Sequence, residues 1–378
     1  MKRFRSKKSG FVVLLTTLAL VAAACSKNDN KTTAQSGTTT TSTSKSNSVM
    51  DGAMDKLYKD ALAAGEKEVQ VGYVPLQSFI PEWKPLFEKR FPGLTLTPRD
   101  FGTNSAWGSL VLQELNAGQR TVDTGITSAL VYKPLVDAGK IENVDWGALG
   151  ASPDRVNAPI PGLLINHDIA CGITIYDTRK WKASDLPTDP QGWLDPKFKN
   201  QMAMEPFNGF ACMAWYGLKV GEDKAVALGK AMKDQNGMLV VDSAENLLAT
   251  GERSIIPFHA TRGLALKDKG VPVAGKFLAG TGGIARQGFA VVKGTPSPNA
   301  TRLFILWSTT DEAQSVSEKT LDGAYSFIGP SRPNSPLRQE IIKEGLNPDD
   351  PNFFTYETKD NWIARSDLAT RLRTTLAG

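Results

Sequence analysis

The regular alternation of strand and helix patterns constrains this chain most. Strand patterns over 68–74, 94–97 and 121–126 alternate with helix patterns over 51–65, 82–91, 104–117 and 129–138. The first strand has the period-two residues Val69, Val71 and Tyr73, and the helix pattern over 82–91 stops at Pro92-Gly93. Three such alternations are typical of a parallel, doubly wound α/β sheet.

The same kind of pattern restarts in the second half of the chain. Further strands are predicted over 173–176, 201–205, 237–241, 254–258 and 289–293, and further helices over 211–220, 224–234, 243–250 and 298–307. Residues 51–378 are more than one hydrophobic core usually supports. The sequence therefore predicts an α/β protein with two doubly wound lobes.

The N-terminus has the composition of an export signal. Five basic residues precede residue 10, an apolar run follows over 11–21, and three alanines precede Cys25. This order is typical of a secretory signal peptide over 1–24. The segment from Leu20 to Cys25 resembles a bacterial lipobox, in which cleavage precedes a cysteine whose thiol is then lipidated. The alternative is a plain cleaved signal with an incidental cysteine. The apolar run is too short to span a bilayer.

Removal of this leader changes the charge balance. The whole chain has a formal charge of +5, and the leader carries five basic and no acidic residues. The remaining chain has 39 basic and 39 acidic residues and no net charge. No overall positive field is left to attract nucleic acid or an anionic membrane, so neither is an expected partner of the folded part.

Residues 25–50 form a candidate tether. After Cys25, the segment contains no aromatic residue and is mostly Ser, Thr, Asn, Lys and Gly. A segment of this composition cannot bury enough apolar surface to fold, so we predict a disordered linker with a span of roughly 25–30 Å. Such a linker would hold a folded body clear of the membrane that anchors Cys25.

Two cysteines remain in the folded part, Cys171 and Cys212. In an exported protein they could form a disulfide, and two buried free thiols are the alternative.

Short motifs along the chain occur in a recognisable order. They are 87–94 (Phe-Glu, a basic pair, Phe-Pro-Gly-Leu), 115–119, 122–123, 193–199 (Trp-Leu-Asp-Pro-Lys-Phe-Lys), 251–252 and 288–296. In this order and spacing the chain resembles the bacterial solute-binding proteins of ABC importers, in the subgroup that includes ferric-iron, phosphonate and thiamine binders. The resemblance covers roughly residues 51–345.

The resemblance implies a fold of the type II periplasmic-binding-protein kind, with two lobes joined by a hinge. It places lobe one at 51–166 plus 284–325 and lobe two at 167–283 plus 326–378, with crossovers near 164–172, 280–287 and 324–330. It also implies a monomer without enzyme activity or cofactor, which captures a solute outside the cytoplasm and delivers it to an ABC transporter permease. The predicted cleft loops are polar and rich in Gly and lack the ligands of an iron site, so we expect the solute to be a small polar or anionic organic molecule.

Ligands of open α/β sheets bind beyond the carboxyl ends of the strands. This rule selects polar loops and helix starts, which favour anionic groups, together with Arg262 and Arg286, whose guanidinium groups can hold a phosphonate or carboxylate. Helix capping and salt bridges are the alternative roles of these side chains. The predicted ligand-binding residues are Gln77, Ser78, Thr103, Asn104, Ser105, Thr127, Ser128, Asn208, Gly209, Thr261, Arg262 and Arg286.

Two alternative functions stay open. Tyrosine-type iron binders would need a tyrosine pair at Ala260-Thr261, which this chain lacks, so no metal ligand is assigned. The only two histidines, His167 and His259, could still bind a metal with Asp168 or Asp242. A secreted hydrolase is the other alternative, although the chain has no GxSxG, HExxH or Walker motif.

Overall fold

A computed structural model describes residues 41–102, 104–267, 269–320 and 326–377, without the side chains of residues 41–47, 76 and 104–106. The predicted signal peptide over 1–24, the lipidation site Cys25, the first part of the tether and Thr103 lie outside the described residues. Residues 42–378 form one compact unit. Among the described residues, no helix combines the length and the apolar character needed to cross a bilayer.

The elements alternate as the sequence predicts. The helices of the described residues are α1 (Thr41–Ala63), α2 (Phe79–Arg90), α3 (Asn104–Asn116), α4 (Ala129–Asp137), α5 (Pro153–Val156), α6 (Asn208–Val220), α7 (Glu222–Asp234), α8 (Ala244–Thr250), α9 (Pro298–Trp307), α10 (Asp311–Ser317), α11 (Pro336–Lys343) and α12 (Trp362–Leu376). The strands are β1 (Glu68–Tyr73), β2 (Thr95–Asp100), β3 (Thr124–Ser128), β4 (Leu164–Asp177), β5 (Ala203–Met204), β6 (Leu239–Val240), β7 (Ile255–Ala260), β8 (Val273–Phe277), β9 (Gly283–Phe289) and β10 (Thr355–Tyr356). The predicted α/β class is confirmed.

The strands form one large mixed sheet and one small pair. In the large sheet the order is β2-β1-β3-β9-β4-β7, with β8 beside β4 and β10 beside β9. Strands β2, β1 and β3 are parallel, and β9 is antiparallel to both β3 and β4. The small pair, β5 and β6, is parallel. The carboxyl ends of β1, β2 and β3 therefore meet at one edge, as do those of β5 and β6.

Two separate hydrophobic cores are joined by β4 and β9, which we call the hinge strands. The first core is built around Trp83, Phe87, Phe304 and Trp307 and includes Leu164 and Phe289 from the ends of the hinge strands. The second core is built around Trp193, Phe198, Phe210 and Trp215 and includes Cys171 and Ala285 from the same two strands. Each hinge strand thus contributes residues to both cores. The exact lobe boundaries stay a prediction.

The C-terminal end of the predicted tether is helical in the structure. The sequence predicts a linker up to residue 50, whereas α1 begins at Thr41, and Met50 packs against the first core. Adding residues to an existing helix is easier than starting a new one. The helix over the residues after Asp51 can therefore extend into the Ser- and Thr-rich segment before it, despite the weak helix propensity of these residues.

The strand predicted over 289–293 is wrong, because β9 ends at Phe289 and Val292 makes only an isolated bridge to Ile141.

A disulfide joins Cys171 of β4 to Cys212 of α6, with 5.0 Å between the Cα atoms. It ties a hinge strand to the helix that covers it. On the neighbouring strand, Gly283 allows the same helix to approach, since a Cβ there would lie 2.0 Å from Trp215 Cγ. The close packing of α6 on the hinge strands therefore depends on the Cys171–Cys212 disulfide and on glycine at position 283, where a larger residue would not fit.

We expect loss of this disulfide to destabilise the fold without abolishing it. The bond closes a segment of 41 residues, and a crosslink of that span contributes roughly 2–4 kcal/mol, chiefly by restricting the unfolded chain. Urea unfolding of a C171A/C212A double variant, made in a C25A background that has no other thiol, measures this loss. Equal unfolding midpoints with and without the two cysteines would contradict the assignment.

Candidate functional site

The two faces of the hinge strands have different surroundings. Ala170 of β4 and Ile284 of β9 pack with Leu337 and Ile341 of α11, so one face is covered by the C-terminal part of the chain. We call this the back face. Because side chains alternate along a strand, Ile169 belongs to the opposite face, which we call the cleft face. Ile169 is partly exposed and contacts both cores.

The back face carries a buried ion pair. The guanidinium Nε of Arg286 lies 4.0 Å from Oδ1 of Asp168, and its Nη1 donates to the carbonyl of Asn157 over 2.6 Å. Its Cζ lies 4.9 Å from the centre of the Tyr356 ring. Asp168 Oδ2 accepts the backbone N–H of Ile328. Arg286 was predicted as a ligand-binding residue, but strand alternation puts it on the covered face, and we remove it from the candidate site.

The cleft face carries a neutral polar network. His167 Nε2 lies 2.8 Å from Gln287 Oε1, and Gln77 Nε2 lies 3.4 Å from the same oxygen. Burial lowers the pKa of His167 to about 3, so its imidazole is uncharged at neutral pH. Gln77, predicted as a ligand residue, is buried and fixed to the backbone by Val74 N–H and Ile126 C=O. It supports the hinge rather than facing solvent.

The loops after β1, β2 and β3 lie at the edge that the sequence selected. Ser78 is exposed between two helical turns and does not cap α2. Ser128 is partly exposed at the start of α4, where its side chain makes no capping hydrogen bond. Thr127 is buried. Asn104 and Ser105 begin α3, but their side chains lie outside the described part.

In the second half of the chain, a charged cluster surrounds the carboxyl end of β5. Glu205 accepts hydrogen bonds from Asn208 Nδ2 at 2.8 Å and from Arg262 Nη2 at 3.0 Å. The side chains of Arg262 and Glu205 are 18% and 20% exposed, so the pair is shielded but reachable. The fold therefore brings together Asn208 and Arg262, two residues that the sequence selects as candidates. Both donate hydrogen bonds to Glu205.

The other two predicted residues of this half are less accessible. Gly209 is buried, and a Cβ there would lie 2.3 Å from Met204 Cγ, so only its backbone could face a ligand. Thr261 is also buried, beside a small cavity that Leu337 of the back face also lines. We remove the Thr261 side chain from the candidate site.

A second acid lies next to this cluster. Glu245 Oε1 is 3.1 Å from His259 Nε2, and this contact is the main reason why the pKa of Glu245 is held below its usual range. His259 Nδ1 accepts the N–H of Ala260, and Phe258 before it has a left-handed φ of 52°. Bulky residues rarely adopt this conformation, which often marks a functional site.

The two histidines thus have separate partners, Gln287 for His167 and Glu245 for His259. Within the described ranges, no group of three or more His, Cys, Asp or Glu side chains is arranged to hold a metal ion.

Sequence reasoning missed Glu205, Glu245 and Gln287. The rule that ligands bind beyond strand ends had already selected neighbouring loop residues. It could have included Glu205, which directly follows a predicted strand, whereas nothing in the sequence distinguishes Gln287 from Arg286 beside it. A groove of about 510 Å³ is lined by residues 143–147, 156, 158–163 and 359, none of which belongs to the candidate site.

Comparison with solved structures identifies the fold. No protein-family model and no curated protein sequence matches the chain. Iron-bound HitA from Pseudomonas aeruginosa superposes with a TM-score of 0.63 at 14% identity, over 82% of this chain and all of HitA. The GacH receptor of Streptomyces glaucescens, solved with acarbose, gives 0.65 at 11% identity, over 82% and 93% of the two chains. AfuA from Actinobacillus pleuropneumoniae, with bound fructose-6-phosphate, gives 0.62 at 18%, over 82% and 99%.

These similarities define the class of fold. The chain has the fold of the type II periplasmic binding proteins, as the resemblance in the sequence implied. The hinge strands, the two cores and the polar strand ends are the parts of this fold that surround the candidate site.

The buried, neutral His167 predicts a pH-dependent stability. Its folded pKa of about 3 lies below the unfolded value near 6.5, so the unfolded chain binds the proton first and stability is lost as the pH falls from about 6.5 towards 3. When the pH falls from 7.5 to 5, the unfolding free energy of the wild type should decrease by about 2 kcal/mol because of His167. A His167→Gln variant should not show this decrease.

Urea unfolding of both proteins at the two pH values measures this difference. Burial raises the pKa of Asp168 to about 6, which has the opposite effect on stability below that pH, but this group is common to both proteins and cancels. A stability difference that does not change with pH would contradict the neutral, buried imidazole.

Proposed function

We propose that this protein is the extracytoplasmic solute-binding component of an ABC importer, which captures a small polar or anionic organic solute and hands it to the permease. The observation that carries the proposal is the pair of hinge strands. They contribute residues to two hydrophobic cores, and their cleft face carries the neutral polar network and the partly exposed Ile169. This is the arrangement of a two-lobed clamp that closes on a ligand.

The residues at the strand ends support a polar organic solute. The second half offers Asn208 and the Glu205–Arg262 pair. The first half offers the exposed Ser78 and the partly exposed Ser128. Such a mixed set of donors and acceptors orients a small hydrophilic molecule, because each polar group buried on closure needs a partner. We include Thr127, Asn104 and Ser105 as neighbours of this set.

The relatives in fold bind chemically different ligands. HitA is described as iron-bound, AfuA as bound to fructose-6-phosphate and PotD from Streptococcus pneumoniae as a spermidine/putrescine-binding protein. Fold alone therefore does not select a solute. We base the proposal of an organic solute on the side chains of this chain rather than on any one relative.

We further propose that Cys25 anchors the protein to a membrane through a lipid. The support is the leader, with its basic start, apolar run and the three alanines before the cysteine. A capture protein gains from an anchor because it stays near its permease. The linker that follows Cys25 is long enough to let the folded body turn towards the transporter.

A solute panel tests the main proposal. A ligand at 100 times its Kd stabilises the folded state by about 2.7 kcal/mol, which raises the Tm by several degrees in a protein of this size. We expect such a shift with one class among phosphate esters, phosphonates, carboxylates, sugars and polyamines. Native mass spectrometry of the freshly purified protein should reveal a retained solute of the same class.

Arg262 supplies the site-specific arm of this experiment. We expect Arg262→Gln to weaken binding of an anionic solute about tenfold or more, because a charge-assisted hydrogen bond is lost. Arg371→Gln is the matched control, since Arg371 pairs with Glu222 and Asp223 on the surface of α12. If no solute is retained and none shifts the Tm, while a panel compound is hydrolysed, the importer proposal fails in favour of a hydrolase.

Membrane anchoring has its own prediction. The full-length wild type, expressed in a bacterial host that processes lipoproteins, should fractionate with membranes and carry the added mass of a lipid on Cys25. Cys25→Ala should appear in the soluble extracytoplasmic fraction, or accumulate uncleaved, and carry no lipid. Ser26→Ala is the control and should behave as the wild type. Equal fractionation of all three proteins would disprove the anchor.

A further inference from the structure

The amide group of Gln287 is the most informative polar group on the cleft face. Gln287 lies on hinge strand β9 and is 7% exposed. Its Oε1 is bound by His167 and Gln77, whereas its amide nitrogen has no hydrogen-bond partner in the described part of the chain. This nitrogen is not completely buried, so it is accessible to water or to a ligand.

The orientation of this amide follows from a chain of hydrogen bonds that starts at the backbone. Val74 N–H can only donate, so the Gln77 atom 3.1 Å away is Oε1. Gln77 Nε2 then donates to Ile126 C=O at 3.0 Å, and its second N–H points towards Gln287. The Gln287 atom on that side must therefore be an acceptor, which fixes it as Oε1.

The same logic fixes the tautomer of His167. Since Gln287 Oε1 is an acceptor, the His167 nitrogen 2.8 Å away must carry the proton, and burial keeps the ring neutral. With its oxygen bound from two sides, Gln287 turns its NH₂ group away from His167 and Gln77. Both residues thus act as positioning residues for the Gln287 amide.

Other donors belong to the residue that pairs with Gln287 in the sheet and to the helix that follows it. In the sheet, Gln287 of β9 is the direct partner of Ser128 at the end of β3. Ser128 is the N-cap residue of α4, yet its hydroxyl does not cap the helix. Within the described residues, the first N–H groups of this nine-residue helix therefore have no side-chain cap, and the positive end of the helix dipole lies next to Ser128.

We propose that Gln287 Nε2, the Ser128 hydroxyl and the N-terminal N–H groups of α4 bind one oxyanion group, a carboxylate or a phosphate, of the captured solute. All of these groups can donate to it, and the Gln287 donor is fixed in place before the ligand arrives. The inference rests on the proposed function and deepens it, because it assigns an oxygen-rich end of the solute to the hinge side of the site.

The first test is Gln287→Glu, because this change keeps an acceptor for His167 and Gln77, replaces the outward donor by an acceptor and adds a negative charge that repels an oxyanion. The probes are inorganic phosphate, glycerol 3-phosphate and citrate, with putrescine as a cation, measured by isothermal titration calorimetry. The wild type should bind at least one of the three oxyanions, and Q287E should bind it at least tenfold more weakly. Gln287→Met, which has a similar shape and no charge, should also weaken it about tenfold.

Two controls separate this effect from a loss of folding. Gln201→Glu makes the same chemical change before β5, at the opposite end of that strand from the candidate site, where Gln201 accepts from Ser254, and should leave oxyanion affinity unchanged. The Tm of each ligand-free variant should show that it is folded. If Q287E does not fold, the loss of oxyanion affinity is measured with the neutral Q287M variant instead.

The outcomes distinguish the inference from the proposed function. Unchanged oxyanion affinity in Q287E and Q287M, tighter binding in Q287E, or a wild type that binds putrescine and no oxyanion would each overturn the inference, while solute binding itself would stand. A wild type that binds no probe and retains no solute in native mass spectrometry would overturn both.

Discussion

The antiparallel pairing of β4 with β9 is the interaction on which the rest of the structure depends. The two strands pair from Leu164–Phe289 at the first core to Cys171–Gly283 at the second. Backbone hydrogen bonds hold this pair whatever the side chains are, so the side chains on each face are free to serve different purposes. One face packs against the C-terminal segment, and the other carries the neutral polar network of His167, Gln287 and Gln77.

The division of charge between the two faces follows from the cost of burial. Asp168 and Arg286 are side by side on β4 and β9, and both are buried on the back face, where each offsets the charge of the other. An isolated charge in that position would be strongly destabilising, and a pair is tolerated because further hydrogen bonds complete it. The cleft face carries only neutral groups on these strands, namely His167, Ile169, Ala285 and Gln287.

The sequence predicted the fold better than the site. Hydrophobic periodicity located the first three strands and their helices, since each has a regular apolar face, as in Val69 and Val71 of β1. It missed most of β4, which was predicted over 173–176 only, because the run Asn166-His167-Asp168 is polar and yet fully buried. Periodicity detects burial of apolar side chains, and these three residues are buried through hydrogen bonds and ion pairs instead.

The candidate site shows the same limit at single-residue scale. Arg286 and Gln287 are neighbours in the sequence, and the choice between them depends on which face of β9 each occupies. That choice depends in turn on the register with β3 and β4, which no local pattern reveals. The pairing of Arg262 with Glu205 was equally hidden, because the two are 57 residues apart. The rule that ligands bind beyond the ends of strands identifies loops. Only the side-chain contacts in the structure show which atoms of those loops have no partner within the protein and could bind a ligand.

A neutral amide suits a hinge strand better than a guanidinium would. When two lobes close, groups on the hinge lose water, and an arginine there would need a counter-charge in both the open and the closed state. An amide donor loses much less hydration free energy and still binds an oxygen in a fixed direction. Arg262, in contrast, is paired with Glu205. In the proposed site, this charged pair lies in the second half and the neutral, oriented donors lie at the hinge, an arrangement that favours a solute with two chemically different ends.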